Sequence, residues 1–135
     1  MIELLTADTP NGKKISIMLE EIKFDYKVTK INIFKDEQFK PEFKKLSPFS
    51  KIPVIIDHDN NVSLFESGAI LIYLGEKSEK FYDKDQRTTI NQWLMGQMGY
   101  IGPMLGQHHQ FHHYNPGKSE FGESRYFKIA ERIYK

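Results

Sequence analysis

Thr9-Pro10-Asn11-Gly12 places a hydroxyl, an amide and a glycine within four residues, just beyond the short apolar run Ile2-Glu3-Leu4-Leu5. Where such a turn leads into a helix, its N–H groups are unpaired donors at the positive end of the dipole, a place that attracts anions, including a thiolate. Two readings of the turn are open. Thr9 suits an N-cap with Pro10 at the first helical position, where proline loses nothing. Alternatively, the Thr9 hydroxyl and the Asn11 amide donate to a bound sulfur and raise its thiolate fraction at neutral pH. The chain has no cysteine. A disulfide framework, Cys-ligated zinc, an iron–sulfur cluster and a Cys nucleophile are therefore excluded, and any thiol chemistry must use a thiol from elsewhere.

Ile52-Pro53 follows a loop and precedes an apolar run. A cis proline there turns the N–H and C=O of Ile52 outwards, where they can pair with a peptide-like ligand as an added strand; a trans edge proline is the commoner alternative. Glu66-Ser67 reads first as a helix-start feature. Its functional version is a carboxylate for a ligand ammonium beside a hydroxyl and N–H for a ligand carboxylate. Gly106-Gln107-His108-His109-Gln110-Phe111-His112-His113 holds two i, i+4 histidine pairs, a spacing that can chelate zinc. No acidic residue lies between Asp85 and Glu120, so a third ligand must come from elsewhere. The segment is expected to line an interdomain cleft, without a metal. Lys44-Lys45 reads as a solvated face and Trp93 as core.

These residues need elements to hold them. Ile2 to Leu5 suits a buried strand, and Ile15, Met18, Leu19 and Ile22 fall at the spacing of one buried helix face. Tyr26 to Ile33 suits a second strand, parallel to the first if the helix crosses over. A short helix over Pro41 to Leu46 is ended by Ser47-Pro48. Two strands, Val54-Ile55-Ile56 and Val62-Ser63-Leu64, are joined by the turn Asp57-His58-Asp59-Asn60-Asn61, and a helix opens at Glu66-Ser67-Gly68. The order is βαβ, helix, ββα, over residues 1–80. From residue 86 to 135 every patterned stretch reads as helix: Thr88 to Leu105, broken at Gly102-Pro103, and Ser119 to the end. The apolar residues of that last helix lack partners in the chain, and Lys135 falls mid-pattern with no stop signal. An incomplete second domain is expected, with a tendency to self-associate.

With 19 Lys+Arg, 18 Asp+Glu and a formal charge of +1 over 135 residues, the composition argues against nucleic-acid binding, and 13% aromatic residues argue against disorder. The longest apolar run, Ala69 to Leu74, is far short of a membrane span, and Met1-Ile2-Glu3-Leu4-Leu5 is no signal peptide. The expectation is a cytoplasmic protein with neither membrane nor nucleic-acid partner.

Thr9 to Ile15, Gln38 to Phe43, Ser47 to Val54 and Leu64 to Ile70 together resemble the glutathione transferase superfamily. The first block and Gly102 to Phe111 resemble its nu class, the bacterial glutathione-dependent disulfide-bond oxidoreductases. The resemblance implies a thioredoxin-like N-terminal domain followed by an all-helical glutathione transferase C-terminal domain, in a homodimer when that domain is complete. It further implies that Thr9 and Asn11 face the sulfur of glutathione and that Ile52, before a cis Pro53, pairs with its cysteinyl part. Glu66 and Ser67 would hold the γ-glutamyl end, Gln38 and Lys51 would lie along the tripeptide, and Arg125 would approach a second glutathione. The implied reaction is reduction of a small disulfide by bound glutathione. Conjugation to small electrophiles, a non-catalytic glutathione-binding regulatory protein and an inactive fragment are the alternatives.

Overall fold

In the computed structural model, which describes residues 1–135, Ile2–Thr6 forms β1, Pro10–Ile22 forms α1 and Tyr26–Lys30 forms β2. Thr9 is the N-cap of α1, its hydroxyl oxygen accepting from the N–H of Gly12 at 3.1 Å, with Pro10 in the first turn. Lys23, in the left-handed region at φ 60°, ends the helix. β2 stops at Lys30, short of the expected Ile33: the N–H of Ile31 makes the last bond of the parallel ladder, to Thr6 O, and Asn32 then caps a 3-10 turn over Ile33–Lys35. A second such turn over Glu37–Phe39 leads into α2, Pro41–Leu46. Val54–Asp57 (β3) and Val62–Phe65 (β4) form a hairpin that opens α3, Ser67–Ser78.

The sheet order is β2-β1-β3-β4, parallel between β1 and β2 and antiparallel across the other two pairs. Alternation along the strands puts adjacent residues on opposite faces. Ile2, Leu4 and Ile55 pack under Ile15, Leu19 and Ile22 of α1 and Ile70 and Leu74 of α3. On the other face Leu5 and Val54 pack with Phe43 of α2. This is the α/β sandwich the pattern implied.

The β3–β4 turn is held by a buried carboxylate. Asp57 accepts from the N–H of Asp59 at 3.1 Å, the amide of Asn60 at 3.2 Å and the Tyr73 hydroxyl at 2.5 Å, and pairs with the Lys77 ammonium. Burial pushes the Asp57 carboxyl up, but the Lys77 ammonium, the Tyr73 hydroxyl and the Asp59 N–H outweigh it and hold it at about 2.

The chain divides into two compact units, Met1–Lys84 and Asp85–Lys135. In the second, helix runs from α4 (Arg87–Gly96) through α5 (Gly102–His109) to Tyr114, with π-helical turns over Gln97–Ile101 and Gln110–Tyr114; α6 spans Glu120–Ile133. The expected break at Gly102-Pro103 does not occur. A proline inside an α-ladder loses one bond and clashes with the carbonyl four residues back. Here the ladder shifts just before it, with the N–H of Gly102 bonding Gln97 O, five residues back. A Cβ on Gly102 would lie 3.0 Å from that oxygen, so glycine permits the wide turn. Within this unit α5 and α6 pack together, and the Phe111 ring, stacked on Tyr126 with centroids 5.4 Å apart, lies over Gly122. Trp93, read as core, is 68% exposed: α5 and α6 pack on one another and the indole face of α4 remains in solvent.

Candidate functional site

The strand register gathers several loops at one edge of the sheet. Val54 pairs with Leu5 on one side and with Phe65 on the other. Pro53, the β1–α1 turn and Glu66 therefore emerge side by side. Between them lies a cleft of about 130 Å³, lined by Asn11, Ser47, Lys51, Ile52, Pro53, Glu66 and Ser67.

Each wall has a local cause. Asn11 sits in the first turn of α1, its Oδ1 accepting from Lys14 Nζ at 2.9 Å, so the amide NH2 remains to donate. Burial lowers the Lys14 ammonium from its ordinary range. Gly12 lets the turn close, since a Cβ there would lie 2.3 Å from Thr6 Oγ1 and 2.5 Å from Ala7 O. The Ile52–Pro53 peptide is cis, as the resemblance implied and against the commoner trans form. Glu66 occupies the N-cap position of α3 but makes no capping bond, which sets aside the capping role for its side chain. Its φ of 70° is unusual for a residue with a Cβ, and such conformations cost about 1–3 kcal/mol and concentrate at functional sites. Ser67, buried, begins α3, so a second helix N-terminus lines the cleft.

The remaining sequence-derived candidates lie outside the lining of this cleft. Thr9 is half-buried in the adjacent turn, its oxygen engaged as the cap and its hydroxyl proton left to donate. Gln38 stands on the 3-10 turn before α2; its Nε2 donates to Ile33 O at 3.3 Å, and its Oε1 is buried without a partner. Arg125 is exposed on α6 of the second unit. Ser47 belongs to the lining; in the sequence it ends the Pro41 to Leu46 helix and opens the Ser47 to Val54 block of the resemblance, with no site role of its own. The signal that could have found it is its position four residues before Lys51, at the start of the loop that reaches Pro53.

The histidines cluster on α5 and its π-helical extension. His108 stacks on His112 with centroids 5.1 Å apart, and His109 lies 4.4 Å from His113. Burial, then the neighbouring imidazoles His112, His113 and His109, keeps His108 below its ordinary pKa.

The cleft offers an amide donor, an ammonium, a carboxylate, a serine at a helix start and the Ile52–Pro53 cis peptide, the groups a short peptide with a free amine, carboxylates and a thiol would need. Residues 3–76 match the family described as glutathione S-transferase, N-terminal domain. The chain is 45% identical to the disulfide-bond oxidoreductase YfcG of Escherichia coli over 99% of its length and 66% of that protein. It is 34% identical to the transcriptional regulator URE2 of Saccharomyces cerevisiae over 93% of its length and 38% of that protein. Among solved structures, a glutathione transferase from Pseudomonas putida, with one glutathione disulfide bound per subunit, superimposes with a TM-score of 0.89 at 43% identity, covering 98% of this chain and 61% of that one. The chain thus spans about two thirds or less of these proteins' lengths.

Proposed function

The chain belongs to the glutathione S-transferase N-terminal domain family, and from that premise we propose that its cleft binds glutathione and uses the bound thiol to reduce small disulfides. The observation that carries this reading is the convergence of Asn11, Lys51, Ile52, Glu66 and Ser67 on one cleft in a chain without cysteine. Glu66 takes the γ-glutamyl ammonium and the Ser67 end of α3 its carboxylate. Ile52 pairs with the cysteinyl backbone and Lys51 lies along the tripeptide, with Gln38 nearby. Thr9 and Asn11 donate to the sulfur and favour the thiolate. Arg125 is assigned to a second glutathione.

The glutathione thiolate attacks one sulfur of the substrate disulfide, the S–S bond breaks, and the departing thiolate takes up a proton. A second glutathione thiolate then attacks the glutathione sulfur of the mixed disulfide. The second thiol leaves and glutathione disulfide forms, two electrons having passed from two glutathiones to the substrate. The nearness to YfcG, a disulfide-bond oxidoreductase, favours this reaction over conjugation. A cytoplasmic location, and a homodimer where the C-terminal domain is complete, belong to the same reading. No helix is long and apolar enough to cross a membrane.

The test is reduction of 2-hydroxyethyl disulfide by glutathione, coupled to NADPH through glutathione reductase, beside conjugation of 1-chloro-2,4-dinitrobenzene. Disulfide turnover exceeding conjugation is expected, and conjugation alone would reassign the chain as an ordinary transferase. The likeness to URE2, a transcriptional regulator, favours a second reading, a glutathione-binding regulatory protein. Calorimetric binding with no turnover in either assay selects it, and failure to bind glutathione sets both readings aside.

A further inference from the structure

We propose that Ser47 is a positioning residue for the cleft: its hydroxyl fixes both backbone polar groups of Lys51 and so sets how Lys51 and Ile52 meet the ligand. The proposal rests on the glutathione-binding reading for the identity of that ligand. Ser47 is 1% exposed. Its Oγ donates to Lys51 O at 2.8 Å and accepts from Lys51 N–H at 3.0 Å. Its own carbonyl accepts from the N–H of Ser50 at 2.8 Å, and Ser50 is held at φ 54°. Every one of these loop bonds ends on Ser47.

The other side of Ser47 is anchored in the core. Its N–H donates to Phe43 O at 2.9 Å and closes α2, and Phe43 is buried against Leu5 and Val54. The order of attachment therefore runs from the sheet through Phe43 and Ser47 to Lys51 and Ile52 at the cleft. Only a hydroxyl both donates and accepts at a single small atom. Its one proton is committed to Lys51 O, so Ser47 acts on the ligand through the loop. Without the hydroxyl, the loop samples conformations in which Lys51 and Ile52 are misplaced. The apparent affinity then falls by the fraction of time the correct conformation is held, so a loop correct one tenth of the time binds about tenfold more weakly. Once ligand is bound the loop is in place, and turnover at saturation is preserved.

The test uses the full chain with Ser47→Ala and Ser47→Thr. Amide hydrogen exchange without ligand is expected to speed up about tenfold at the Lys51 N–H in Ser47→Ala, while Val54 and Ile55 in β3 keep their rates. The glutathione dissociation constant is expected to rise about tenfold, with kcat at saturating glutathione within about twofold of the parent. Ser47→Thr, which keeps the hydroxyl, should retain both slow exchange and affinity. Unchanged exchange at Lys51 in Ser47→Ala overturns the proposal, as does uniform acceleration through β3, which would make Ser47 a general stabiliser. A fall in kcat at constant affinity, or lost affinity in Ser47→Thr with Lys51 still protected, overturns it equally. If the parent chain binds no glutathione, the functional reading fails, and the exchange measurement still decides whether Ser47 fixes the loop.

Discussion

Asn11 divides its amide between two tasks: Oδ1 is held by Lys14 at 2.9 Å, which orients the NH2 as a donor on the cleft wall. A donor aimed at developing or resident negative charge is worth more to the reacting sulfur than to overall binding. Asn11→Ala is expected to lower disulfide turnover by roughly ten- to a hundredfold with glutathione affinity changed less than about twofold. Glu66→Ala should do the opposite, raising the dissociation constant about tenfold or more by removing a charge-assisted bond, with a smaller effect on saturated turnover. Equal losses of affinity and turnover in both variants would refute this division. Asp57 carries a prediction about pH. Its folded pKa of about 2 lies below the unfolded value near 3.9, so the stabilisation of about 2 kcal/mol is complete above pH ~4 and lost as pH falls towards 2. Thermal melts from pH 5 to 2 should fall more steeply for the parent than for Asp57→Asn, and parallel curves would show that the carboxylate contributes nothing. Asp57 was legible in the sequence only as a turn residue, because Tyr73 and Lys77 reach it from another element.

At the scale of elements, the pattern of apolar residues specified β1, α1, the β3–β4 hairpin and α3 well, since each has one face committed to the sheet. Ile15, Leu19 and Ile22 are buried at the positions their spacing predicts. The pattern was weakest where backbone chemistry departs from the α-ladder. Gly102-Pro103 is a stop signal in an α-helix but not in a π-turn, and nothing local distinguishes the two. Ser47 was missed for a related reason: its role depends on a hydroxyl meeting Lys51 across a loop, which no periodicity reports. The packing of α6 on the preceding helix depends on Gly122, where a Cβ would stand 2.7 Å from the Phe111 ring. The ring is also stacked on Tyr126, so a shift that clears the Cβ disturbs that stacking. Gly122→Ala should therefore separate the helices and cost about 1–3 kcal/mol despite the higher helix propensity of alanine. A urea midpoint equal to or above the parent's would show that the ring moves freely.

For the molecule as a whole, the question is what its exposed apolar surface does in water. Trp93 is 68% exposed, Phe121 76% and Tyr134 81%, all in the second unit. A large aromatic side chain buries about 150–250 Å² on association. At about 25 cal/mol per Å², three such rings, each about three quarters exposed, offer roughly 8–14 kcal/mol, which falls within the range of about 4–15 kcal/mol that association costs in lost freedom. The balance favours weak, concentration-dependent self-association over a tight complex. A formal charge of +1 supplies little repulsion to oppose it. Sedimentation velocity of the 135-residue chain should show a coefficient that rises with protein concentration, and rises further in sulfate, which strengthens apolar burial. Trp93→Gln with Phe121→Gln should return the chain towards the monomer and reduce binding of an apolar dye, while leaving glutathione affinity unchanged, because neither residue lines the cleft. A monomer at every concentration, with no dye bound, would mean that these rings are satisfied in solution and that the second unit covers its own apolar face.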